Sequence, residues 1–292
     1  KTKELILNFF KEKKVKGKLY EKEWKNFGHN KTEALQIAEK ESDCEYLLFM
    51  DADNYIVGDP IFPTNMDADL YLLKQGYGDN NYFWRQQLFK KGLNWRYEGV
   101  LHEYPAADKI DTQEKIEGDY YCMETHEGAR NKDLKIKYEK DILILLEGIK
   151  NEEKNGRYMY YLGQTYQCLH QYALAAKWFI ECSKTTLWDQ ERYYSLFQAG
   201  ETLIKAGKIE MGKTYLIAAW NDRPQRIESM YHLMNHYFEH ELYSEAYLVG
   251  KHIVNTPENR EDILFPEQEI HQWKLYDKMT LICYKLGFIK EG

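Results

Sequence analysis

The feature that constrains this chain most is an apolar pattern at helical spacing, which begins near residue 133 and continues almost to the end. Within it, Gly163, Gly200 and Met234 hold equivalent places and lie 37 and 34 residues apart. A period of about 34 residues is typical of stacked helix pairs, because each pair buries its apolar face only against its neighbours. The pattern therefore predicts an all-α domain over residues 133–292.

The first copy of the pattern resembles a tetratricopeptide repeat (TPR). Met159 stands where that repeat usually has Trp, and the spacing Met159-x-x-Leu162-Gly163-x-x-Tyr166 follows the repeat. Residues 267–286 are expected to close the stack as an atypical terminal element. Because the copies are degenerate, a generic helical bundle is the alternative. Other positions that fit the repeat are Ala175, Phe179, Gly200, Ala219, Pro224, Leu233, Tyr237, Ala246 and Pro257.

The first half of the chain mixes strand-like runs with helical patterns, which predicts an α/β layer domain over residues 1–132. Helices are expected over residues 3–12 and from Asn30, where Asn30-Lys31-Thr32-Glu33 reads as a capping box. The apolar run 45–50 is predicted to be a buried strand of a parallel sheet. Further strands are predicted over residues 69–74, 81–88 and 118–124.

Two carboxylates follow the 45–50 run directly, in Asp51-Ala52-Asp53. On an extended backbone, residues two apart face the same side, and ligands of open α/β sheets bind at the carboxyl ends of strands. The charges need solvent, a cation or nearby basic side chains as partners. Oxygen ligands suit Mg²⁺ or Mn²⁺, so a divalent ion shared with a diphosphate is the favoured interpretation, and a solvated loop is the alternative.

The stretch "NFGHNKTEALQIAEKESDCEYLLFMDADN" resembles the central segment of family 2 glycosyltransferases of the GT-A fold. "RQQLFKKGLNWRYEGVLHEYP" and "THEGARNKD" resemble the acceptor-side and closing segments of the same family, including the subgroup with a C-terminal TPR-like domain. The resemblance implies a partial Rossmann-like sheet domain. The activity it implies is that of an inverting, hexosyltransferase-type enzyme that uses a nucleotide-sugar donor, with a UDP-sugar favoured.

The resemblance also implies roles for individual residues. Asp53 and Asp51 would hold the metal with His126, unless His126 is a hydrogen-bonded side chain beside a turn. Glu103, or else Glu98, would be the catalytic base, with a solvated glutamate as the alternative. The residues implied in substrate binding are Asp51, Arg130 (or a surface ion pair of Arg130), Lys31 (a phosphate contact), and Trp95 and Tyr97 (ring stacking, or core filling).

Composition excludes several classes of protein. The five cysteines are scattered without a C-x-x-C pair, which argues for free thiols and against a disulfide framework or zinc site. A net charge of −7 disfavours a broad nucleic-acid-binding face. No apolar run approaches the roughly 18 residues that span a bilayer, and no signal-peptide core is visible. A cytoplasmic location is therefore expected.

Compared with the family pattern, the chain begins just after the nucleotide-reading strand–helix–strand. A fragment of a longer protein is the favoured interpretation, and loss of the nucleotide-binding half is the alternative. The alternative function is a non-catalytic TPR-like scaffold with a degenerate transferase domain. A nucleotidyltransferase is a third interpretation, although no phosphate-cradling glycine loop is visible. The acceptor is open, protein or glycan included, and the helical domain is a candidate for homo-oligomer contacts.

Overall fold

The computed structural model describes residues 2–76, 82–125, 133–152, 155–258, 261–262 and 264–288. The chain forms two compact units, residues 1–128 and 129–292, which we name the sheet unit and the helical unit. Over these described ranges, no helix has the length and apolar character needed to cross a bilayer.

The sheet unit begins with two helices and continues with short strands. In its described part, one sheet has the strand order β1-β4-β3-β8-β2, with β7 beside β3, and β5 and β6 form a separate pair. The elements are α1 (Thr2–Lys13), α2 (Phe27–Glu41), β1 (Tyr46–Leu48), β2 (Asn54–Ile61), β3 (Leu70–Gly76), β4 (Tyr82–Lys90), β5 (Arg96–Glu98), β6 (Tyr104–Ala106), β7 (Gln113–Lys115) and β8 (Glu117–Glu124).

The sheet is mixed, and its longest pairings are antiparallel. β1 pairs antiparallel with β4, β4 with β3, and β2 with β8, whereas β3 runs parallel to β7 and β8. The 45–50 run gives only the three-residue edge strand β1, in which Leu48 is exposed, so the prediction of a parallel buried strand is wrong. Periodicity alone cannot distinguish a buried parallel strand from a short apolar edge strand. The GT-A sheet is not supported.

Two apolar layers enclose the sheet. Leu70 and Phe89, which pair across β3 and β4, pack with Leu35 of α2, while Tyr71 and Leu73 belong to a second buried cluster. This alternation follows from strand geometry, because successive side chains point to opposite faces. Helix α2 contacts β1 and β5, and this contact fixes the position of its residues relative to the end of β1.

Helix α2 begins four residues earlier than the capping box predicts. Asn26 is the N-cap, and its side chain accepts a hydrogen bond of 2.8 Å from the backbone N–H of His29. Asn30 lies inside the helix, where its side chain bonds the backbone of Glu23 and Lys25. Both asparagines suit a cap, and the chain preceding the helix selects Asn26.

The helical unit consists of antiparallel helix pairs, as the repeat pattern predicts. α4 packs on α5, α6 on α7 and α8 on α9, while α3 precedes the pairs and α10 follows them. A π-helical turn (Ile270–Lys274) leads into α10. The helices are α3 (Leu134–Asn151), α4 (Gly156–Cys168), α5 (Tyr172–Thr185), α6 (Asp189–Lys205), α7 (Ile209–Asp222), α8 (Glu228–Glu239), α9 (Tyr243–Ile253) and α10 (Leu275–Leu286).

The predicted equivalence of Gly163 and Gly200 is confirmed by what each glycine contacts. A Cβ on Gly163 would lie 2.8 Å from the ring of Phe179 in α5, and one on Gly200 would lie 2.7 Å from Leu216 in α7. Both glycines let the two helices of a pair approach closely, at the same place in successive pairs. The helical unit therefore has a TPR-like fold.

Candidate functional site

Several of the residues singled out in the sequence converge in the sheet unit. The Lys31 ammonium lies 3.0 Å from Asp51 Oδ1 and 2.8 Å from Glu103 Oε1, and Arg85 Nη2 lies 3.1 Å from Asp51 Oδ2. We name these four side chains the Lys31 cluster. Lys31 also stands 5.4 Å from the ring centroid of Tyr97, within cation–π range.

The Lys31 cluster balances its own charge, with two cations against two carboxylates. Burial alone would raise the pKa of Asp51, but Lys31 and Arg85 outweigh it and hold that pKa below its usual range. The side chains of Lys31 and Glu103 are only 14% and 9% exposed. A buried charge pair of this kind is costly to break, because the remaining charge would lose its partner. Basic side chains are thus the partners of Asp51.

The other predicted residues lie apart from this cluster. Glu98 is bound by Arg96 at 3.1 Å and by the Tyr104 hydroxyl at 2.9 Å. Trp95 is 2% exposed, packs on Phe89, and donates its indole N–H to a backbone carbonyl. The backbone carbonyl of Asp53 accepts a hydrogen bond from Thr125. His126 and Arg130 lie outside the described residues.

The interpretation of Asp51-Ala52-Asp53 as a manganese-binding D-x-D motif is corrected. Asp51 is already neutralised by Lys31 and Arg85, and over the described ranges no three His, Cys, Asp or Glu side chains are grouped so that they could hold a metal ion. The individual roles assigned to Asp53, His126, Glu103 and Glu98, and the broader expectation of a divalent cofactor, stay predictions.

A second arrangement, which the sequence did not predict, lies in the helical unit on the first helix of each pair. Tyr160 of α4 contacts Tyr194 of α6, with ring centroids 6.1 Å apart. Phe197 of α6 contacts His232 of α8 edge to face, with centroids 4.8 Å apart. The first helices of successive pairs therefore pack against one another, and we name the side of α4, α6 and α8 that a later segment contacts the first-helix face.

A later segment of the chain is bound to this face. We name it the 261–267 segment, of which residues 261, 262 and 264–267 are described. Its Asp262 carboxylate is fully buried and forms ion pairs with Arg223 and Arg226, which lie between α7 and α8. The guanidinium of Arg226 is itself only 2% exposed and stands 4.6 Å from the ring centroid of Tyr193. These two arginines form a buried carboxylate site.

The first-helix face binds the main chain of the segment in addition to its side chains. Arg226 donates to the backbone carbonyls of Leu264 and Phe265 at 3.2 and 3.3 Å. The backbone N–H of Leu264 donates to the side chain of Gln190 in α6 at 3.0 Å. The ring of Phe265 packs on that of Tyr194, with centroids 5.1 Å apart. The hydrogen bonds from Arg226 and to Gln190 involve main-chain groups, which any polypeptide carries.

His232 of α8 lies between two carboxylates at the end of the bound segment. Its ring nitrogens stand 3.3 Å from Glu201 of α6 and 3.3 Å from Glu267. Burial would lower the pKa of His232, but the hydrogen bonds to Glu201 and Glu267 outweigh it and raise that pKa to about 9. At neutral pH the imidazole is therefore cationic and links α6, α8 and the 261–267 segment.

No family model matches this chain, and no curated protein matches it. Several solved structures are similar to it. The structure of MamA is 13% identical, covers 56% of this chain and 88% of its own, and has a TM-score of 0.42. A Podosopora anserina putative kinesin light chain with TPR-like repeats is 15% identical, covers 57% and 86%, and has a TM-score of 0.41. YrrB, described as a TPR protein with an unusual peptide-binding site, is 13% identical, covers 53% and 84%, and has a TM-score of 0.36.

These findings correct the predicted family and activity. Membership of the family 2 glycosyltransferases is wrong, because no model of that family matches the chain and the solved structures similar to it are helical repeat proteins. The predicted nucleotide-sugar-dependent hexosyltransferase activity is corrected with it, because that activity was implied by the family resemblance alone. Identities this low and TM-scores below 0.5 add nothing on function, so a functional conclusion must rest on the contacts of this molecule itself.

Proposed function

We propose that this chain is a non-catalytic binding protein whose first-helix face takes a polypeptide segment. The observation that supports it is the set of contacts made to the 261–267 segment. Arg226 bonds two consecutive backbone carbonyls, and Gln190 bonds the backbone N–H of Leu264. Recognition of main-chain groups by fixed side chains is how a groove holds a peptide of varied sequence, while a few pockets add specificity.

A polypeptide fits this surface better than a glycan or a nucleotide sugar. Besides the two carbonyl contacts, the face offers the aromatic ring of Tyr194 and the carboxylate site at Arg223 and Arg226. A polypeptide can satisfy all of these groups together. It offers backbone amides for the hydrogen bonds, an acidic side chain for the carboxylate site and an apolar side chain for the ring of Tyr194. A cytoplasmic location and homo-oligomer contacts through the helical unit stay predictions.

Site-specific photocrosslinking in the full chain tests this function. Benzoylphenylalanine would replace Gln164, which lies one helical turn after Tyr160 and so shares its side of α4. The matched control position is Leu174, which is exposed on the second helix α5. The probe is a pool of biotinylated eight-residue peptides, each with an acidic residue three places before an aromatic one. We expect cross-links at position 164 that unlabelled peptide suppresses; equal or stronger cross-linking at position 174 would contradict the proposal.

A further inference from the structure

The 261–267 segment occupies the first-helix face in the way a bound partner would. It contacts α4 and α6 through Phe265, α6 through Leu264, the loop before α8 through Asp262, and α8 through Glu267. A strap that served only to close the end of the helical stack would need contacts with the last pair alone. Here the contacts extend back to the first helix of the first pair.

From this juxtaposition we propose that the 261–267 segment is a built-in competitor for the first-helix face. Its partner, on this proposal, is a peptide with the same chemistry: an acidic residue followed three places later by an aromatic residue. This inference rests on the proposed function and adds the partner's chemistry and its regulation. Binding of the partner requires that the 261–267 segment leave the Arg223 and Arg226 site.

Among the described residues of the segment, Asp262 is the buried one. Its carboxylate is buried against two guanidinium groups, and Arg226 is additionally held by Glu228 at 2.7 Å. Because Glu228 fixes the guanidinium in place, the carboxylate site is built by the helical unit and does not depend on the segment for its geometry. An incoming aspartate or glutamate would meet the same preorganised donors, which favours binding.

Another feature of the segment favours its release. Phe265 has φ of 47°, in the left-handed region that is unfavourable for a residue other than glycine. Its ring is half exposed, at 50%, although it packs on Tyr194. A partner that placed an aromatic ring on Tyr194 with an unstrained backbone would bind without this conformational cost. The segment belongs to the same chain as the face, and a linked ligand acts at an effective concentration in the millimolar range. This high effective concentration offsets the conformational cost at Phe265.

A competition experiment on the full chain tests the proposal. The probe is fluorescein-labelled EDILFPEQ, the sequence of residues 261–268, and its binding is measured by fluorescence anisotropy. The chain is compared with a released variant that carries Asp262→Ala and Phe265→Ala. If the segment occupies the face nine-tenths of the time or more, the released variant binds the probe about tenfold more tightly or better. The ENILFPEQ probe, which lacks the carboxylate, should bind the released variant weakly.

Matched arginine variants show where the probe binds. Arg226→Gln in the released variant should remove probe binding, whereas Arg96→Gln, whose arginine pairs with Glu98 and Asp108 in the sheet unit, should leave it unchanged. Far-UV circular dichroism verifies folding. If the double substitution lowers helicity, Phe265→Ala alone serves as the released variant, because the half-exposed ring can be removed at small cost to folding. It should give a smaller gain in the same direction.

The outcomes separate this inference from the proposed function. Equal probe affinities for the wild-type chain and the released variant would overturn the competition and leave the proposed function intact. No probe binding to any variant would mean that the segment is a structural strap, and would overturn the inference. In that case the cross-linking at position 164 still decides whether the first-helix face takes other peptides.

Discussion

The contact between His232 and its two carboxylates makes the stability of the helical unit depend on pH. The pKa of His232 is about 9 in the folded chain and 6.5 in the unfolded chain. The imidazole therefore contributes its full stabilisation below pH 6.5 and loses it as pH rises through about 9. At about 1.4 kcal/mol for each tenfold change in proton affinity, the loss across this interval is at most about 3 kcal/mol. The lowered pKa of Glu201 reports the same interaction and is not counted again.

The measurement is urea unfolding of the full chain followed at 222 nm, where the helical unit dominates the signal, at pH 6, 7, 8 and 9. We expect the free energy of unfolding to fall steadily from pH 6.5 to pH 9. Glu267→Gln should remove roughly half of that fall, because one of the two carboxylates remains. His232→Gln should abolish it.

His236→Gln is the matched histidine control. Burial lowers the pKa of His236, so this side chain is neutral in the folded chain across the interval and its loss should not alter the slope. An NMR titration of the His232 ring that gives a pKa near 6.5 would refute the reasoning, as would a wild-type stability that stays constant from pH 6.5 to pH 9.

Two further predictions concern the sheet unit. Lys31→Met leaves the Glu103 carboxylate buried without its cation and should destabilise the unit by about 3 kcal/mol. Lys22→Met breaks a more exposed pair and should destabilise it far less. Hydrogen exchange of β3 and β4 in urea measures both effects, and equal effects would count against the cluster. Gly28→Ala places a Cβ 2.1 Å from the backbone carbonyl oxygen of Gly99, so it should lower the thermal midpoint by separating α2 from the β5–β6 pair, and an unchanged midpoint would contradict this close approach.

The helical unit was predictable from the sequence because its apolar period is long and repeated. Each repeat buries the same positions, so Gly163 and Gly200 could be aligned before any contact was known. The sheet unit was less predictable. Short strands carry little periodic signal. The longer strand β2, which directly follows Asp53, went unpredicted because none of its residues is buried.

The Lys31 cluster was also only partly predictable from the sequence. Lys31, Asp51, Glu103 and Tyr97 were singled out in the sequence and do lie together, but their mutual neutralisation depends on Arg85, which comes from β4 and gave no sequence signal. A resemblance to metal-binding motifs cannot reveal a cation supplied by a distant strand. The chemistry of a carboxylate pair is decided by its neighbours in space.

The first-helix face was missed for a related reason. Arg223 and Arg226 lie in a loop between helices, and their partner Asp262 lies more than thirty residues later in the chain. A signal was present: two arginines flank Pro224 and Gln225 in a chain where Lys is the commoner basic residue. It could have indicated a carboxylate site, because Arg is the side chain best suited to bidentate recognition.

Hydrogen–deuterium exchange tests the central claim, that the first-helix face holds a peptide, most directly. Exchange is measured along the released variant (Asp262→Ala, Phe265→Ala) with and without saturating EDILFPEQ peptide. The account predicts slower exchange in α6, α8 and the 223–226 loop on addition of peptide, and no change in the sheet unit. Protection confined to the sheet unit, or to the second helices α5, α7 and α9, would contradict it.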